Sequence, residues 1–157
     1  MRRDYFSLHV EGTEWIETGG DPERPTVIID FEGPASLLQN RLSSDTADFL
    51  EGTTIDVSFR YLTDREADDP SGVVSITNRM TGDYILELNA PGDRVLQFVK
   101  AAREFGRDSG ENGSQYRIAV QVDSDPIVSY NKRTFLVYES DGTLLRKQSL
   151  IPSGVEL

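Results

Sequence analysis

Apolar and polar residues alternate from Asp4 to Val10, with Phe6, Leu8 and Val10 on one side, and this period of two predicts a first strand. The β-branched run "TVIIDF" predicts a second. In "TIDVSFRYL", Ile55, Val57, Phe59 and Tyr61 mark a half-buried strand, and "GVVSITNRMTGDYILELN" reads as two strands folded about Arg79 to Gly82. "QYRIAVQV" and "PIVSYN" flank a turn at Asp123 to Pro126. The last stretch, "NKRTFLVYESDGTLLRKQSLIPSGVEL", predicts a hairpin about Asp141–Gly142, a pair suited to a tight two-residue turn.

Two segments follow the helical period instead. "GPASLLQNRL" predicts a short helix with Pro34 in its first turn, where a missing N–H costs nothing. In "APGDRVLQFVKAAREFG", Val95, Phe98, Val99, Ala102 and Phe105 form one apolar stripe, with Pro91 and Asp93 in the first turn and Gly106 as the C-terminal cap. "EGTEWIETGGDPERP", "TDREADDPSG" and "RDSGENGS" read as loops. About nine strands, mostly joined by short turns, imply an α+β fold: a mostly antiparallel sheet with one long amphipathic helix on a face and one short helix. A β-sandwich with decorating helices is the alternative. No repeat or boundary divides the 157 residues, so one domain over 1–157 is expected.

Charge changes the picture. The chain has 27 acidic and 16 basic residues, a net charge of -11, and only Lys100, Lys132 and Lys147 among its bases are lysines. Acid excess with few lysines is the composition expected in concentrated internal salt. There the Debye length falls to about 3 Å, and carboxylates hold water without strong mutual repulsion. Most of the acid surplus is therefore read as adaptation to solvent. The absence of cysteine removes disulfides, thiolate metal sites and cysteine nucleophiles. No apolar run approaches the roughly 18 residues of a membrane span. An acid and a serine interrupt "MRRDYFSLHV", so no signal peptide is expected and the cytoplasm is the anticipated compartment.

Little of the chain points to catalysis. His9, the single histidine, shares a predicted strand face with Tyr5 and Ser7 and has no companions for a triad or metal centre. Asp30 and Glu32 lie two apart and point to one side of a strand, as an acid–base pair or hard-cation site would need. In so acidic a chain such pairs also arise by chance, as do Asp64, Glu66, Asp68 and Asp69. "GRDSGENGS" follows a helix where a phosphate cradle would open one. Asn112, Gly113 and Ser114 match a glycosylation acceptor without an export signal. No cofactor or metal is expected.

The bases are distributed unevenly. Residues 1–90 carry 7 bases and 18 acids, whereas residues 91–157 carry 9 of each. Lys100, Arg103 and Arg107 fall at i, i+3 and i+7 on the long helix, flanking its apolar stripe. In the final hairpin, a two-residue turn would put Arg133 and Arg146 on one face and Lys132 and Lys147 on the other, with about 13 Å between members of each pair. That geometry dilutes the charge, and charged side chains also protect sheet edges.

"DYFSLHV", "GDPERPTVIIDFEGPASLL", "TGDYILELN", "FVKAAREFG" and the C-terminal stretch together resemble a haloarchaeal family of small acidic proteins of unknown function. The likeness spans nearly the whole chain. It implies a halophilic setting and brings no activity, cofactor or site. The functional expectation is a non-enzymatic module that binds another macromolecule, foremost a protein, through Lys100, Arg103, Arg133, Arg146 and Lys147. The alternative is a small-molecule enzyme working through Asp30 and Glu32. Net charge opposes nucleic acid, and the oligomeric state is left open.

Overall fold

The computed structural model describes residues 2–44, 48–109 and 115–152. Eight strands form: Phe6–Glu11 (β1), Thr26–Phe31 (β2), Ile55–Tyr61 (β3), Ser71–Asn78 (β4), Tyr84–Pro91 (β5), Tyr116–Val122 (β6), Asp125–Lys132 (β7) and Leu136–Tyr138 (β8). Three α-helices join them: Trp15–Thr18 (α1), Ala35–Arg41 (α2) and Gly92–Ser109 (α3). One sheet has the order β1-β2-β6-β7 and the other β5-β4-β3-β8. The pairs β1/β2, β3/β4, β4/β5 and β6/β7 are antiparallel, while β2/β6 and β3/β8 pair parallel across long crossovers. The protein is thus α+β with two mixed four-stranded sheets.

Alternation along the strands becomes burial. Val27, Ile29 and Phe31 of β2 and Ile118, Val120 and Val122 of β6 face inward, as do Ile55, Val57, Phe59 and Tyr61 of β3. Leu8, Val10, Val27 and Ile118 from one sheet, Val57 and Val74 from the other, and Val95 and Phe98 of α3 surround one small apolar space. Both sheets and the helix therefore share a core. Phe98 anchors α3 in it, edge-on to Tyr116 and Phe135 with ring centroids 5.0 and 5.2 Å away.

Four details differ from the sequence reading. Strand β1 begins at Phe6, because Arg3–Tyr5 form a 3-10 turn. Within the loop predicted after β1, one helical turn forms, pinned by the Trp15 indole N–H donating to the Gly12 carbonyl at 2.7 Å. Helix α3 continues through Gly106. That glycine serves close packing: a Cβ there would lie 3.1 Å from Gln115 Cγ. The return arm of the last hairpin makes only isolated bridges, Tyr138 to Leu144 and Phe135 to Leu150, so it adds no ninth strand.

The β6–β7 turn shows how tightly sequence and backbone agree. Val122 pairs with Asp125, leaving Asp123 and Ser124 as a two-residue turn with φ of 47° and 70°. Both angles lie in the left-handed region that a type I′ turn requires. Asp30 stabilises it, accepting a hydrogen bond from the Ser124 amide at 2.9 Å.

Candidate functional site

Lys100, Arg103 and Arg107 share one face of α3. Lys100 is exposed. Arg103 is half-buried, and its Nη2 donates to the carbonyls of Lys147 at 2.9 Å and Ser149 at 3.1 Å. Arg107 turns back on its own helix to Glu104, 3.1 Å away. The Arg103 guanidinium thus ties the helix to the C-terminal return.

That return is built differently from a regular hairpin. After β8, the Glu139 amide donates to the Thr143 carbonyl, closing a three-residue 140–142 loop with Gly142 at a φ of 91°. The loop is one residue longer than the two-residue turn expected from Asp141–Gly142, and a slip of one residue reverses the face of every later side chain. Leu145 still bonds to Val137, but Arg146–Gln148 then bulge out as a 3-10 turn. The buried Ser149 side chain bridges the break: its Oγ accepts from the Val137 amide at 2.9 Å and donates to the Leu145 carbonyl at 2.8 Å. Pairing resumes at Phe135 and Leu150.

The expected sharing of faces in this hairpin therefore does not hold. Arg146 and Lys147 stand exposed on a turn docked against α3, in the same corner as Arg103 and Lys100. Lys132 is buried, only 7% exposed. It follows Tyr130 by two residues on β7, so both point inward. Its Nζ donates to the Gly52 carbonyl at 2.6 Å and the Ile55 carbonyl at 2.8 Å, fastening the 3-10 turn Gly52–Thr54 to the end of β7. Burial holds its ammonium pKa below the ordinary lysine value; the Arg79 charge adds to this effect and Asp56 opposes it.

Arg133 is exposed beside it and lines a concavity of about 550 Å³ with Glu51, Gly52, Thr53, Arg79, Asn131 and Thr134 among its walls. This cleft was not expected from the sequence. The one legible signal was the i, i+2 spacing of Tyr130 and Lys132, which sends a lysine stem into the interior. A second basic concavity, about 580 Å³, collects Arg2, Arg3 and Arg41 beside β5. Its arginines are largely engaged: Arg2 pairs with Asp4 at 3.3 Å, and Arg41 reaches the carbonyls of Tyr84 and Ile85 at 3.3 and 3.5 Å. Asp4 and Glu87 also line it.

Asp30 caps the β6–β7 turn, while Glu32 is exposed just beyond β2, where its amide bonds to the Tyr5 carbonyl. In the 64–69 loop, Asp64 caps the Glu66 amide at 3.0 Å, and Arg65 pairs with Glu139. His9 is exposed on β1, opposite Ile28. Asn112, Gly113 and Ser114 lie outside the described residues. Among the described residues no three His, Asp or Glu side chains are grouped to hold a metal ion, and no helix is long and apolar enough to cross a membrane. No curated protein and no solved structure matches the chain. A family match does span residues 1–157, and the chain belongs to DUF5793, a family of unknown function.

Proposed function

We propose that this protein is a non-enzymatic binding module that takes an acidic segment of another protein on the corner formed by α3 and the Arg146–Gln148 turn. The observation that carries the reading is the double hydrogen bond from Arg103 to Lys147 and Ser149. It docks a turn bearing two exposed cations onto a helix face bearing a third, Lys100. Arg133, two residues before the Phe135–Leu150 bridge, is the outlying member of the surface. Such a corner suits carboxylates, because arginine offers a planar fork and lysine a mobile point charge. The family resemblance and the lysine-poor composition support a setting in the cytoplasm of a haloarchaeal cell, with the acid surplus serving hydration. The alternative, an enzyme working through Asp30 and Glu32, draws less support, since Asp30 is engaged in holding a turn.

Affinity capture from lysate at molar KCl tests the reading with three baits: wild type, Arg146→Glu/Lys147→Glu, and Arg117→Glu as a charge reversal on β6. A protein enriched by wild type and Arg117→Glu, and lost from the double variant, is the expected result. Identical captures by all three baits, or no specific capture by any, would count against the corner.

A further inference from the structure

Arg133, the outlying member of that surface, also lines a cleft that includes none of the α3 or Arg146–Gln148 residues. The cleft gathers Arg79, Lys132 and Arg133 against one lining carboxylate, Glu51, in a chain with 27 acids and 16 bases. The local charge runs against the composition. These cations come from two separate parts of the chain: Arg79 from the β4–β5 turn, and Lys132 and Arg133 from the end of β7 and the residue after it.

Hydrogen bonds hold the chain on both sides of Arg133. On one side, Lys132 is tied through its ammonium to Gly52 and Ile55, and its carbonyl accepts from the Gln115 amide at 2.9 Å. On the other, the Thr134 carbonyl accepts from the buried Tyr116 hydroxyl. The backbone of Arg133 is thus fixed on both flanks while its side chain is exposed. No ion pair or hydrogen bond engages that guanidinium among the described residues. Arg79 is oriented by Asp56, which accepts from Nε at 2.9 Å and Nη2 at 2.6 Å, leaving Nη1 for a ligand. The Arg79 fork, already oriented by Asp56, loses little freedom on binding an oxyanion, and the held backbone of Arg133 fixes where its guanidinium starts.

The remaining walls suggest what is attached to the anion. Thr53, Ser129, Asn131 and Thr134 supply hydroxyl and amide groups around a space of about 550 Å³, larger than a bare phosphate needs. We propose that this cleft binds a small phosphorylated polyol, with Arg133 and Arg79 on the phosphate and the neutral polar side chains on the hydroxyl groups. Lys132 contributes field and holds the wall, without touching the ligand. The arginine-lined concavity beside β5 is the weaker candidate, because two carboxylates, Asp4 and Glu87, line it with its arginines, against the single Glu51 here.

Calorimetric titration of the full chain at constant molar KCl tests this, with ribose 5-phosphate as the probe and ribose as its unphosphorylated control. Saturable binding of ribose 5-phosphate is expected. It should weaken about ten-fold or more in Arg133→Gln, the scale of one lost charge-assisted contact, and stay unchanged in Arg146→Gln. Arg133 is exposed, so its substitution leaves the fold intact, which circular dichroism of the variant verifies. Absence of saturable binding, equal affinity for ribose, or an Arg133→Gln titration matching wild type would each overturn the assignment. Because the corner is probed by Arg146 and the cleft by Arg133, the two readings fail separately.

Discussion

Tyr130 is the residue at which chemistry and packing disagree most. Its hydroxyl is buried and has no hydrogen-bond partner among the described residues. Burial pushes its pKa from 10.0 up to about 12. An unsatisfied buried hydroxyl costs about 1–3 kcal/mol, so Tyr130→Phe should stabilise the protein by about 1 kcal/mol in chemical denaturation. Destabilisation by that change would mean the hydroxyl has a bonding role. The pH dependence follows from the same shift. Between pH 10 and about 12 the folded tyrosine keeps a proton that the unfolded one releases. The folded state then binds more protons, and stability falls as pH rises through that window. In Tyr130→Phe, the tyrosinate absorbance step near pH 12 should vanish and the alkaline loss of stability should shrink. Lys132 shows what residue spacing can reveal: its inward direction was legible from Tyr130, but not the two carbonyls it would meet, which come from residues about 80 positions earlier.

Elements whose identity rests on local pattern were readable. The apolar stripe of α3 and the alternation of β2, β3 and β6 each translate directly into burial. The last return was not, because its register depends on a loop longer by one residue and on a bulge. A signal did exist: Arg146, Lys147, Gln148 and Ser149 form a polar run that no half-buried strand would carry. Ser149 is the key to this element, since it completes the ladder that Arg146–Gln148 interrupt. Ser149→Ala leaves the Val137 amide without that acceptor in the interior, at an expected cost of about 1–3 kcal/mol. Hydrogen exchange should quicken at Val137 and Leu145 more than in β2. Unchanged exchange there would show that the bulge holds itself without the serine. Parallel pairing of β2 with β6 was equally hidden, since nothing local records which distant strand comes alongside.

At the scale of the whole molecule, the carboxylates are mostly hydrated rather than paired. Four ion pairs join described residues, and both partners are at least a third exposed in each. Exposed pairs of this kind contribute about 0–1 kcal/mol apiece, and less in concentrated salt. Stability must come chiefly from the shared apolar core, against the self-repulsion of a net charge of -11. Salt relieves that repulsion and strengthens apolar burial when its ions are excluded from the surface. The most direct test is the unfolding free energy from urea titrations, measured from dilute buffer to molar KCl. A steady rise in stability with salt is expected, with the protein still monodisperse at the highest concentration. A fall in stability, or precipitation as KCl increases, would contradict it.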